Sequence, residues 1–266
     1  MEDKRALVIG INYLGTKDQL DGCISDALRL YDILTKKLDY PRDNVLLITD
    51  HTESKPTRTN IVKAFQWLLS SAPAASFGKQ DLAPQVKKTL MFFSYSGHTK
   101  QVVDPDGDEA DGFDEGLAPL DYLSSGFVLD DQIRRDLVSK VRAGSSLSGL
   151  MDICHSGSLF DLPWTMVASG PTMVLAKDGQ YKDCEGLVVL LSGSKDFQTS
   201  SDTHDKRGIP SGVLTNAVTE IFQTSGYHLP CDVLLTKVQA IVTASYAQMP
   251  CMSFGHFMPV STTFPI

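Results

Sequence analysis

Two short segments hold residues able to do covalent chemistry as a pair. Ser94-Tyr95-Ser96-Gly97-His98 ends in an imidazole, and Asp152-Ile153-Cys154-His155-Ser156-Gly157 carries a thiol. Cysteine attacks as its thiolate, and a free thiol with a pKa of about 8.5 is mostly protonated at neutral pH. A neighbouring imidazole takes that proton, stabilises the thiolate and later protonates a leaving amine. Gly97 before His98 and Gly157 after Cys154 allow tight turns and close substrate approach. Backbone N–H groups around Cys154–Gly157 are placed to line an oxyanion hole. Taken singly, Cys154 is equally a small buried hydrophobe and His98 a hydrogen-bonded loop histidine. His155 is a second candidate base, but in a continuing strand its side chain points away from that of Cys154.

Positioning such a pair needs a rigid frame. Ala6–Gly10, Val45–Thr49, Thr89–Ser94, Gly149–Ile153 and Leu187–Leu191 are near-continuous apolar runs, the pattern of strands covered on both faces. Between them apolar residues recur at helical spacing: Ile24 to Leu38, Ile61 to Leu68, and Leu129 to Val141. Further helical patterns lie at Val213–Phe222 and Val233–Tyr246, and a last short strand is expected near His256–Val260. This alternation predicts one α/β domain over residues 1–266, with a mainly parallel central sheet flanked by helices on both faces. Ala72–Ala83, Gly170–Gly186 and Ser194–Pro210 read as loops. Ligands of such sheets bind beyond the carboxyl ends of the strands. If the strands leading to His98 and Cys154 are parallel neighbours, both residues project at one edge.

The bulk numbers narrow the function classes. A formal charge of −8 argues against nucleic acid as a partner and favours cationic ligands. Five cysteines without CxxC spacing exclude zinc and a disulfide framework and point to the cytoplasm. No apolar run approaches the roughly 18 residues of a membrane span, and the start lacks a signal-peptide pattern.

Acidic residues form the other conspicuous feature. Asp104–Glu115 carries seven acids in twelve positions and no base. Asp104, Asp106, Asp108 and Glu115 match the first, third, fifth and twelfth positions of an EF-hand, but Glu109 stands where that loop needs Gly. A solvated acidic loop is the plainer reading. Asp26 opens a helical pattern and Asp130-Asp131 opens another, where acids also serve as caps or dipole partners. Asp152 precedes Cys154 by two residues, and Ser96 precedes His98 by two, so in strands each shares a face with its reactive neighbour.

These blocks resemble those of metacaspases. The histidine segment is similar to their YSGHG block and Asp152–Ser158 to their D-x-C-H-S-G block. Leu7–Tyr13 with Leu20–Asp26, Asp106–Tyr122 and Leu191–Ser201 resemble further family blocks in the same order. The short gap between His98 and Cys154 is that of type I members, although their Pro-rich N-terminal extension is missing. The resemblance implies a caspase-like fold, with a large-subunit-like part over about 1–165 and a small-subunit-like part over about 185–266. It implies Cys154 as nucleophile, His98 as general base and acid, and a P1 pocket of Asp26, Asp152, Ser96 and Cys23. Two carboxylates in a partly dry pocket repel each other and are relieved by a cation, so Arg or Lys is the expected P1 residue of protein or peptide substrates. It further implies a Ca2+ site of Asp114, Asp130, Asp131 and Asp161. A monomer is expected, and an Arg/Lys-specific enzyme could cut itself in the loops holding Lys177, Lys182 and Lys206-Arg207. Thr99, Ile153 and Phe197 depart from the family pattern. The rival readings are a calcium-responsive scaffold that keeps the fold without activity, and an Asp-cutting caspase, which requires a basic pocket.

Overall fold

The computed structural model describes residues 3–78, 88–103, 113–153, 159–170, 172–177, 181–193, 202–204, 208, 210–246 and 248–266. Their elements run β1 (Asp3–Gly10), α1 (Cys23–Lys37), β2 (Val45–Thr49), α2 (Arg58–Leu68), β3 (Thr89–Ser96), β4 (Thr99–Val103), β5 (Phe113–Leu117), α3 (Tyr122–Ser125), β6 (Val128–Leu129) and α4 (Asp130–Asp136). The chain continues through β7 (Ser146–Asp152), β8 (Trp164–Ser169), β9 (Thr172–Lys177), β10 (Leu187–Ser192), β11 (Asp202–His204), β12 (Pro210–Gly212), α5 (Val213–Ser225), α6 (Cys231–Ser245) and β13 (Cys251–Phe254).

The apolar runs become the middle of an eight-stranded sheet ordered β2-β1-β3-β7-β10-β13-β8-β9. The first five strands are parallel, and β13, β8 and β9 are each antiparallel to the strand before. Alternation along β1 sends Ala6 and Val8 to a core shared with α1, α5 and α6. Leu7 and Ile9 face the opposite way, toward α2 and α4. Both faces are thus covered, which is why the middle of these strands is mainly apolar. The expected fold class is the one observed. Among the described residues no helix is long and apolar enough to cross a membrane.

Two expectations shift. The last strand is Cys251–Phe254, not His256–Val260. A strand inserted between β10 and β8 is buried along its length, which suits Cys-Met-Ser-Phe, whereas Phe257 is exposed and Pro259 cannot donate to a ladder. The polar stretch after Gly170 is a strand in its first part. Gly170, at φ 60°, turns the chain so that β9 pairs back on β8 as the sheet edge. Thr99, one of the departures from the family pattern, opens β4 and pairs with Leu117. A β-branched residue suits that position.

Arg5 is the largest charged residue in the interior, 1% exposed. Its Nη2 donates to the carbonyls of Trp67 (3.1 Å) and Ala72 (2.6 Å), and its guanidinium lies 4.3 Å from the Trp67 ring. It thereby ties β1 to the end of α2. Burial lowers its pKa to about 10. Arg5→Ala should cost about 2–4 kcal/mol, read as a lower urea midpoint with an unchanged slope, because two carbonyls lose their donor and a cavity opens.

Candidate active site

β3 and β7 are adjacent and parallel, paired from Leu90↔Ser146 to Ser96↔Asp152. His98 follows Ser96 by two residues and Cys154 follows Asp152 by two. The two strands therefore lead, in register, to the imidazole segment and the thiol segment. Cys154 itself lies outside the described residues, as do His155 and Phe197.

His98 is described, and it is firmly held. Its backbone N–H donates to the Tyr13 hydroxyl (2.9 Å) and its carbonyl accepts from the Ala118 N–H (3.0 Å). The half-buried ring makes a 2.7 Å hydrogen bond from Nε2 to the Asp18 carbonyl. A carbonyl can only accept, so Nε2 carries the proton and Nδ1 is left as the basic nitrogen of the neutral ring. The Asp18 loop is itself tied down, since the Tyr122 hydroxyl donates to the Asp18 carboxylate at 2.6 Å. The room Gly97 leaves is taken by tyrosine: a Cβ there would lie 2.8 Å from the Tyr95 hydroxyl and 3.0 Å from that of Tyr13. That is a more specific reason for the glycine than substrate approach.

The residues expected to form the P1 pocket meet at the same edge. Gly10, at the end of β1, pairs with Ser96. Cys23 begins α1, Asp26 lies in its first turn, and both are buried, as is Asp152. Each carboxylate also carries a structural load. Asp26 accepts from the Ser211 hydroxyl (2.7 Å) and the Gly212 N–H (2.7 Å). Asp152 accepts from the Thr215 N–H (2.7 Å) and, at 3.4 Å, from that of Leu214, so it caps α5 from another strand. Burial holds the Asp26 carboxyl well above the usual range, and the charge of Asp152 adds to this against the hydrogen bonds from Ser211 and Gly212. The Asp152 charge is therefore felt at Asp26. Arg29 approaches from the far side, its Nη1 3.4 Å from both Ser211 Oγ and Asn216 Oδ1. Close packing depends on glycines: a Cβ on Gly212 would lie 2.2 Å from Asp152 Oδ2, and one on Gly22 would lie 2.9 Å from the Ser211 nitrogen.

Of the acids expected to bind calcium, Asp114 on β5, Asp130 at the start of α4, and Asp161 are buried, and Asp131 is half-buried. Asp161 has a left-handed backbone, φ 50°. Asp130 uses its carboxylate twice, accepting from the Glu115 N–H (2.5 Å) and from the first-turn N–H of Asp131 (2.9 Å). Burial pushes its pKa up to about 8; these two hydrogen bonds lower it, while the charges of Glu115 and Asp114 raise it further. So Asp130 stands near Asp114 and Glu115, and their charges make its ionisation costlier. Among the described residues no three acids converge closely enough to hold an ion as they stand. Residues 104–112 of the acidic loop lie outside the described residues.

Residues 4–163 match the family model for the metacaspase, peptidase C14 domain. The chain belongs to the metacaspase family. Metacaspase-1 of Schizosaccharomyces pombe is 31% identical, with 95% of this chain and 67% of the relative covered. Metacaspase-1 of Saccharomyces cerevisiae is 30% identical, covering 98% and 68%, and Metacaspase-1A of Aspergillus terreus is 30% identical, covering 98% and 72%. The chain thus spans about two thirds of the length of these relatives. Among solved structures, the protein GSU0716 from Geobacter sulfurreducens aligns with a TM-score of 0.65 at 20% identity, covering 98% of this chain and 97% of that one. That likeness bears on the fold alone. Membership makes this metacaspase a cysteine-type peptidase acting on protein substrates, with a caspase-like α/β fold.

Several residues that hold the site were invisible as site residues in the sequence. Tyr13 and Asp18 stand near motif blocks, yet nothing in their types announces contact with His98. Ser211 and Gly212 lie between the stretch that reads as loop, Ser194–Pro210, and the helical pattern that begins at Val213. One signal was available: α5 starts at Gly212 with no side-chain cap of its own, so its first N–H groups need an acceptor from elsewhere.

Proposed function

We propose that this metacaspase is a calcium-dependent endopeptidase that cuts after Arg or Lys, with Cys154 as nucleophile and His98 as base and acid. The observation that carries the reading is the in-register ending of β3 and β7, with a His98 ring whose Nδ1 is free to be basic and a buried acid pair alongside. Nδ1 takes the thiol proton, and the thiolate adds to the scissile carbonyl carbon. The C–N bond then breaks as the imidazolium returns the proton to the leaving amine. Water, deprotonated by the same nitrogen, hydrolyses the thioester and releases Cys154. Asp26 and Asp152 supply the negative charge that selects a cationic P1 side chain; a P1 Asp would add a third charge to a pair already in conflict.

For calcium, the proposed ligands are Asp114, Asp130, Asp131 and Asp161, and the supporting feature is the burial of Asp114, Asp130 and Asp161, with Asp130 close enough to Asp114 to feel its charge. Bound calcium would supply the positive charge that lets these acids stay ionised together. Because β5 pairs with β4 directly after His98, and Ala118 binds the His98 carbonyl, ordering of that site is transmitted along one short strand to the base.

Fluorogenic peptides ending in Arg, Lys or Asp, assayed with calcium and with chelator, test the reading. Arg and Lys peptides should be cut only with calcium, and Cys154→Ala should cut none. Asp130→Asn should lose the calcium-induced rise in melting temperature. Absence of Arg or Lys cleavage at millimolar calcium would leave the scaffold reading, and cleavage after Asp the caspase one. Self-cleavage belongs to the same proposal. Lys177 ends strand β9, a poor substrate conformation, so exposed Lys182 is the better described candidate; Lys206-Arg207 lies outside the described residues. N-terminal sequencing of calcium-treated protein identifies the cut.

A further inference from the structure

Tyr13 holds three separate grips on His98. Its hydroxyl accepts the His98 backbone N–H at 2.9 Å while donating to the Ala118 carbonyl at 2.6 Å. Its ring lies 4.8 Å from the imidazole, tilted by 37°. Its own carbonyl accepts from the N–H and hydroxyl of Thr16 (3.1 and 2.8 Å), forming the turn that leads to Asp18, the acceptor of His98 Nε2–H. The residue is 1% exposed and sits at φ 52°, a conformation that side chains bearing a Cβ rarely adopt. Such a conformation persists only where surrounding structure imposes it. Here the surroundings are the Tyr95 hydroxyl at 3.2 Å and the Ala118 carbonyl, which also accepts from Tyr95 at 2.8 Å. Burial raises the Tyr13 pKa, so the phenol stays protonated and keeps its donor role across the working pH range.

We propose that Tyr13 is the positioning residue of this peptidase: through its hydroxyl, its ring and the turn it starts, it sets the placement and tautomer of His98 without touching substrate. The hydroxyl is the group that matters most. It is the point where the β1 exit, the His98 backbone and the segment after β5 are joined, and among the described residues it is the acceptor of the His98 N–H. Phenylalanine would keep the ring and the packing but leave that N–H and the Ala118 carbonyl each short of a partner. A base displaced by a fraction of an ångström transfers protons poorly, while substrate binding at the acid pair is untouched. The inference rests on His98 being the general base.

Tyr13→Phe should therefore lower kcat by about 10- to 100-fold on an Arg-ending peptide with calcium present, with KM changed less than about threefold. In 15N-histidine spectra of the full chain, assigned with His98→Ala, the parent should show His98 as a single tautomer protonated on Nε2. The variant should show that signal shifted and broadened by exchange. Unchanged kcat together with unchanged His98 signals would overturn the proposal. Should Tyr13→Phe not fold, Gly97→Ala tests the same point, because the added Cβ must push on both tyrosine hydroxyls; the same loss is expected, and full activity would overturn the proposal. A loss of about 10³-fold or more in kcat/KM for His98→Ala separates this test from the reading beneath it. If His98→Ala cleaves at close to the parent rate, the general-base reading falls, and the spectra alone decide whether Tyr13 places the ring.

Discussion

His98→Ala is expected to lower kcat/KM on Arg-ending peptides by about 10³- to 10⁴-fold while leaving the melting temperature nearly unchanged. The two halves of that result have separate causes. The imidazole is half-buried and makes one side-chain hydrogen bond, to the Asp18 carbonyl, whereas the backbone bonds to Tyr13 and Ala118 survive in alanine. Little stability is therefore tied to the ring. Catalysis depends on it wholly in the proposed scheme, since without Nδ1 the thiol is mostly neutral at pH 7 and the leaving amine has no proton source. Iodoacetamide alkylation should slow in parallel, because it reports the thiolate directly. A variant that retains cleavage and alkylation rates would transfer the base role elsewhere, with His155 next in line.

The second large effect is expected at the acid pair. Asp152→Asn should reduce kcat/KM for Arg and Lys peptides by about 100-fold or more, since a charge-assisted contact to the P1 side chain becomes a neutral one. Its folding cost should be small, because the amide oxygen can still accept from the Thr215 N–H and only the longer 3.4 Å bond from Leu214, made to the other carboxylate oxygen, is given up. Asp152→Ala, which removes the cap altogether, should cost a further 1–3 kcal/mol or so in stability. Asp26 provides the pH signature. Its carboxyl is held above its unfolded value, by burial and then by Asp152, so the folded chain binds that proton more tightly than the unfolded chain. Stability from this source is complete below about pH 4 and is lost as pH rises through the folded pKa. Melting temperatures from pH 4.5 to 8 should fall more steeply for the parent than for Asp26→Asn. Parallel profiles would show that Asp26 is not strained by its surroundings.

The strands were legible because burial on both faces writes itself as unbroken apolar runs, as in Ala6–Gly10 and Leu187–Leu191. The edge hairpin β8–β9 was not, because one-sided strands with Thr, Ala and Lys look like polar loop. The last strand was misplaced by several residues for a related reason: Cys251–Phe254 is too short for its period to show. In the site, His98 and Asp152 were found through their motifs and through the two-residue offset that puts Asp152 and Ser96 on the faces of the reactive positions.

Residue types and local spacing were thus enough for the α/β class and for the catalytic candidates, and the family blocks named the acids proposed for the pocket, since each is written within a few consecutive positions. Everything that aligns them is long-range. The Tyr13 hydroxyl reaches His98 across 85 positions, and Asp26 meets Gly212 across 186. Such contacts arise only when parallel pairing brings the carboxyl ends of β1, β3 and β7 to one edge. No local pattern encodes them, because a tyrosine hydroxyl or a glycine N–H has the same chemistry wherever it stands, and only the packing of the sheet selects its partner.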